Sequence, residues 1–157
     1  MNTCLDELMP YIKYLEENGR YSMLKNFYQH GNTTVYSHCV DVAAKALSLA
    51  DEYKADIDRK ALIYGSLLHD YFLYDWHHTP KEYGLHGFTH PMTAMKNAVI
   101  DYAIDDKTAW IIRTHMFPLV PIAPKSKEGW IVCIADKLCA SNETIAPYLV
   151  MLRRALQ

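Results

Sequence analysis

The sequence predicts an all-α fold, a compact helical bundle. Apolar residues recur at helical spacing in several stretches, most clearly from Val35 to Tyr53, where His38, Cys39, Val42, Ala46 and Ala50 fall on one face. No segment alternates convincingly as a strand. An ordered set of ionisable residues, His38, His69-Asp70, His90, His115 and Asp136, lies in or at the ends of otherwise apolar stretches. An unpaired ionisable group there is expensive, and a bound metal ion is the simplest way to make it tolerable.

In chain order, Thr3 to Glu17 reads as a helix ending near Asn18-Gly19, and Ser22 to Gln29 as a second short helical piece. His30-Gly31-Asn32 breaks the chain before the helix from Val35 to Tyr53. Arg59 to His69 is another helix, with Asp56 or Asp58 as its cap. Asp75 to Thr89, with its aromatics, histidines, glycines and a proline, is expected to be irregular. His90-Pro91 is expected to open the next helix, to about Tyr102, with Pro91 in the first helical position and His90 outside helical geometry. Asp105 to His115 reads as a short helix stopped before Pro118, and the three prolines of Phe117 to Pro124 make a loop. Glu128 to Asn142 is an almost wholly apolar helix, and Pro147 is expected to open the last one.

The chain has 157 residues, half of them apolar, which suits one domain. A formal charge of -2 and a pI near 6.4 leave no basic footprint, so a nucleic-acid polymer is not an expected partner. Cys4, Cys39, Cys133 and Cys139 form no C-x-x-C pair and read as reduced cysteines of a cytoplasmic protein. No run approaches the roughly 18 apolar residues of a membrane span, and the N-terminus lacks the apolar core of a signal peptide. A cytoplasmic location without a membrane partner is therefore expected. Oligomerisation stays open, since the terminal helices could cover the core or meet a second copy.

Taken singly, each ionisable residue has a bland explanation. His38 could be a hydrogen-bonded core histidine, and Asp70 could cap a helix end beside a satisfied His69. His90 could be a cap, His115 could favour a helix dipole, and Asp136 could reach solvent or an arginine. Lys137 points elsewhere on its helix than Asp136. Gly65 and Ser66, one turn before His69, are small enough to let a helix or ligand approach.

Taken together, the segments YSHCVDVA, LLHD and IADK, in this order, resemble the HD-domain superfamily of metal-dependent phosphohydrolases, over roughly Val35 to Ser141. The histidines of HGFTHP and IIRTHM resemble the subset that holds two metals. The resemblance implies one HD-like domain over 1–157, its motif-bearing core at about 35–141. It implies that His38, His69, Asp70 and Asp136 bind a first metal, and that Asp70 bridges to a second held by His90 and His115. His69 and Asp70 would form the catalytic heart. His86, four residues before His90, could replace it as ligand or face the substrate phosphate. The donors suit iron, manganese, zinc, cobalt or nickel, with magnesium a further option. Two such ions about 3.5–4 Å apart could lower the pKa of a shared water that attacks phosphorus, with Asp70 orienting it. Many two-metal relatives carry a lysine three residues after the dyad aspartate, but here Tyr71, Phe72 and Leu73 follow. Lys81, Arg113, Lys125 and Lys137 are the alternative cations.

The segment from Tyr71 to His90 lies between ligand groups and should rim the site. Tyr71, Tyr74, Trp76 and Tyr83 could stack a base or sugar, and His77 and His78 could touch phosphate; equally, the segment could pack on itself. The expected activity is hydrolysis of a small phosphoester, a nucleotide foremost, with His86, Lys81, Trp76, His77 and Arg113 on the substrate. A di-iron oxygenase of the same fold, and a non-catalytic module binding metal or nucleotide, are the competing readings.

Overall fold

Six α-helices build the fold in the computed structural model, which describes residues 3–78 and 84–155, with side chains from 4–29, 31–78 and 84–144. They are α1 (Thr3–Asn18), α2 (Val35–Glu52), α3 (Arg59–Leu68), α4 (His86–Tyr102), α5 (Asp106–Thr114) and α6 (Lys127–Ala155). The all-α class stands. A 3-10 helix, Tyr21–Asn26, and a small antiparallel hairpin, β1 (Tyr28–His30) and β2 (Thr33–Thr34), link α1 to α2.

Polar caps set the helix starts. Thr34 accepts from Ser37 N at the head of α2, Asp58 from Ala61 N at α3, and Asp105 from Thr108 N at α5. Each gives a partner to an amide that the first helical turn leaves unpaired. α2 buries Val35, Cys39, Val42, Ala46 and Ala50, the stripe its sequence spacing sets, between α3 and α6. α3 also packs on α5, and α4 pairs with α5. Gly65 permits the close α3–α5 contact, because a Cβ there would lie 2.6 Å from Ile111 Cγ2.

Three boundaries differ from expectation. Ser22 to Gln29 does not continue as helix, because the turn at Gly31, with φ of 56°, folds the chain back and pairs Tyr28 with Thr34. α4 begins at His86, so Pro91 sits inside it and His90 is helical. The His90 ring donates to His86 O at 2.8 Å, a tie across the turn in which Pro91 removes a main-chain bond. α6 runs on through Pro147 rather than restarting there. Ser141 and Thr144 donate their hydroxyls to carbonyls four residues back, as in a continuing helix.

Candidate metal centre

Three helices and the ends of two others deliver the six predicted residues to one place. His38 comes from the first turn of α2, His69 and Asp70 from the end of α3, and His90 from α4. His115 comes from the end of α5 and Asp136 from α6. All six are buried.

The local backbone fixes which ring nitrogen faces inward. His69 Nδ1 donates to Ser66 O at 2.7 Å and His115 Nδ1 to Ile112 O at 2.8 Å, so each ring satisfies an orphan carbonyl of its own last turn. His90 Nδ1 donates to His86 O, and His38 Nδ1 lies 2.8 Å from Glu143 Oε1. A carbonyl can only accept, so neutral His69, His90 and His115 carry their proton on Nδ1 and direct the Nε2 lone pair at the centre, and an ionised Glu143 sets the same tautomer in His38.

Those Nε2 atoms and the two carboxylates form two adjoining groups. In the first, His38 Nε2 is 3.1 Å from Asp136 Oδ1 and 3.3 Å from His69 Nε2, while Asp70 Oδ2 is 3.5 Å from His69 Nε2 and 3.8 Å from His38 Nε2. In the second, Asp70 Oδ1 is 3.1 Å from His90 Nε2 and 3.5 Å from His115 Nε2, and those two nitrogens are 3.0 Å apart. Ligands about 2.1 Å from a metal are spaced about 3.0 Å apart in an octahedron and about 3.4 Å in a tetrahedron. The distances in both groups lie at or slightly beyond that spacing, Asp70 Oδ2 to His38 Nε2 being the widest at 3.8 Å, and one oxygen of Asp70 enters each group. Donor atoms of His38, His69 and Asp136 lie within 4.8 Å of one another, as do those of His69, Asp70 and His115. His69 is near both groups, but His90 is the closer neighbour of Asp70 Oδ1 in the second. Asp70 Oδ1 is also buried without a hydrogen-bond partner. Facing lone pairs and an orphaned carboxylate oxygen fit a cation at each position.

The electrostatics lead to the same requirement. Asp70 and Asp136 are buried, which opposes ionisation, yet the surrounding histidines hold both well below the usual carboxylate range. Burial opposes a charge on His38, but Asp136 and Glu143 raise its pKa to about 10. Burial likewise opposes a charge on His69, which Asp70 and then Cys39 and Asp136 push well above its ordinary value. His115 falls to about 3, from burial first and then from the charges of His69 and His90. Two ionised carboxylates in a buried centre demand positive charge, supplied by protons or by metal ions.

Two participants carried no motif. Glu143 lies seven residues after Asp136, two turns along the same face of α6, so its spacing was a usable signal. Gln29, on β1, donates Nε2 to Asp70 Oδ2 at 2.7 Å, and its Oε1 is buried without a partner. A strand this short offers no periodicity from which to find it.

Asp70, His90, His115 and Asp136 form the floor of a cavity of about 780 Å³, with His38 and His69 behind them. His86 and Trp76 line it, as does Lys137. His86 stands beside the cluster, its Nδ1 2.9 Å from Tyr74 OH and its ring stacked on His90 at 4.5 Å. Trp76 stacks on His86 at 4.9 Å and on His77 at 3.9 Å. The expected aromatic platform is thus largely engaged within the protein. Tyr71 is a core residue whose hydroxyl donates to Asp101, itself paired with Arg20. His77 pairs with Asp75 and does not line the cavity; neither does Arg113. Lys125 lies over the Trp110 ring, 3.9 Å away. Lys81 and Tyr83 fall outside the described residues. Lys137 gives its ammonium to His115 O, Cys133 O and Cys133 Sγ at 3.1–3.3 Å, rather than to Asp136 beside it. Its long side chain spans from α6 to the end of α5 and so reaches what its Cα direction does not.

Residues 35–141 match the family model of the HD domain. Searches of the curated proteins and of the solved structures gave no match. Among the described residues, no helix is long and apolar enough to cross a membrane.

Proposed function

The chain belongs to the HD domain family, and from that premise we propose that it is a metal-dependent phosphohydrolase acting on a small phosphomonoester, a mononucleotide being one size-compatible candidate. The observation that supports this best is the convergence of four Nε2 atoms and two carboxylates at the base of an open cavity, whose floor includes Asp70, His90, His115 and Asp136. His38, His69, Asp70 and Asp136 would hold one ion, and Asp70, His90 and His115 the other. Metal ions there would supply an acidified water and charge neutralisation for the phosphoryl oxygens.

The remaining work falls to the chain. Asp70 presents one oxygen to each group, and Gln29 fixes the carboxylate plane through its bond to Oδ2. Glu143 and the three carbonyls keep the rings from turning. The reaction adds water across the ester bond: the water oxygen joins phosphorus, the P–O ester bond breaks, and the alcohol departs with a proton.

Elemental analysis of the purified protein, paired with phosphate release from a phosphoester panel in Mn²⁺, Fe²⁺, Co²⁺ and Mg²⁺, tests the proposal. Two metals per chain and metal-dependent release are expected, both lost in Asp70→Ala. Full activity of Asp70→Ala would refute the mechanism. Oxygen consumption with an organic substrate, and no phosphate release, would favour oxygenase chemistry instead.

A further inference from the structure

The cavity above the proposed centre is divided in character. Most of its polar groups gather at the floor, where Gln29 lies against Asp70 beside His90, His115 and Asp136. The walls and mouth are mostly apolar, with Trp76, Leu85, Met116, Pro118, Leu119 and Ala140 beside the polar His86 and Lys137. The single indole donor of Trp76 is already given to Tyr28 O at 3.2 Å. Leu85 and Leu119 are 73% and 46% exposed, large apolar side chains at the rim of a cleft. Leu119 lies against the first turn of α4, close enough that a Cβ on Gly87 would meet its Cδ2 at 3.2 Å. Apolar surface exposed around a concave site marks a place where a ligand buries apolar surface.

Charge supports the same division. Among the described lining residues Lys137 is the one lysine or arginine, and its ammonium already has three acceptors around it. Two divalent ions would neutralise one phosphoryl group. A second or third phosphate would need further cations, which the described walls do not offer. A ribose or base would likewise need hydrogen-bonding partners along walls that are mostly hydrocarbon.

We infer that the preferred substrate is a phosphomonoester whose alcohol part is apolar, an alkyl or aryl group seated against Leu85, Met116, Pro118 and Leu119 while its phosphoryl group rests on the histidine–aspartate floor. The assignment rests on the phosphohydrolase reading for its chemistry, but the apolar wall can be measured without turnover.

The test uses manganese-loaded full-length protein and two parallel series. Calorimetry measures binding of n-alkylphosphonates from ethyl to hexyl, and phosphate release measures kcat/KM for the matching n-alkyl phosphates, whose leaving groups are nearly equal in basicity. Binding should tighten about fourfold per buried methylene, and AMP and ADP should bind more weakly than hexylphosphonate. Leu119→Asp should flatten the chain-length dependence; Leu85→Asp, at the more exposed position, serves if the first variant does not fold. Affinity independent of chain length, or AMP binding tighter than hexylphosphonate, would overturn the inference. Chain-length-dependent binding without phosphate release from any ester would leave the apolar site standing and sink the hydrolase reading. Equal kcat/KM across the series, with flat phosphonate affinities, would do the reverse.

Discussion

Glu143 gives the sharpest test of the proposed first metal position. Its Oε1 lies 2.8 Å from His38 Nδ1, and its side chain is only 12% exposed. α6 thereby supplies both Asp136 and the group that orients His38. Glu143→Ala would leave the Nδ1–H without its acceptor and let the ring tilt. Loss of such an orienting group costs about 10–100-fold in metal affinity, equivalent to about 1.4–2.7 kcal/mol. Glu143→Gln retains an accepting oxygen and should recover most of that loss. Competition against a chromophoric chelator at neutral pH, with Mn²⁺ or Zn²⁺, reads the affinity and the stoichiometry together. The expected result is one weakened site and one nearly unchanged site in Glu143→Ala. Wild-type affinity at both sites, with an unchanged circular dichroism spectrum and melt, would refute the role given to this carboxylate.

Four other outcomes follow from the same geometry. Gln29→Leu removes the donor to Asp70 Oδ2 and should reduce kcat or metal affinity about tenfold or more; unchanged steady-state kinetics and metal titration would rule out a positioning role. Gly65→Ala places a methyl 2.6 Å from Ile111 Cγ2 and should cost about 1–3 kcal/mol of stability, read by urea denaturation, where an unchanged midpoint would contradict the tight α3–α5 contact. Burial alone would raise the Glu128 pKa, but Lys107 and the Asp58 amide hold it at about 2, below the ordinary 4.5. Its contribution is therefore complete above about pH 4.5 and lost as pH falls toward 2, so Glu128→Gln should be less stable at neutral pH and less acid-sensitive in this window, and an acid titration superimposable on wild type would count against it. Chelation should lower the Tm of the metal-loaded protein, because an ion present at about 100 times its Kd contributes about 2.7 kcal/mol to the folded state; a Tm indifferent to both chelator and added metal would argue against a bound ion.

The sequence-level signals succeeded where a residue's role followed from its place on a helix. The apolar stripe of α2 and the cap of α3, which falls to Asp58 of the two aspartates offered, are local properties, and they form as their spacing implies. His86 and His90 could not be separated in this way, because they are four residues apart on one helical face and stack at 4.5 Å. Only the distance from Asp70 distinguishes them, and that depends on how α4 packs beside α5. The proline rule also misled at His90-Pro91 and at Pro147, since a helix already tied on both sides can continue past a proline. The aromatics after Asp70 looked like a binding surface, but composition could not show that Tyr71 enters the core or that Trp76 and His86 stack on each other.

The histidines at the ends of α3 and α5 explain why so much of the centre was nonetheless legible. His69 and His115 each occupy the C-cap, and each turns Nδ1 back to the carbonyl three residues earlier. That bond satisfies a backbone group that would otherwise be unpaired, fixes the tautomer, and directs Nε2 away from the parent helix. A histidine ending an apolar helix is therefore preset as a donor by local geometry, before any tertiary contact forms. Tertiary packing has only to bring two such ends together around Asp70. His38 lacks this local device, since it sits in the first turn of α2, and it depends on Glu143 instead. The histidine that borrows its orientation from another helix is accordingly the one whose supporting residue the sequence did not reveal, and the one most exposed to disruption by a change on α6.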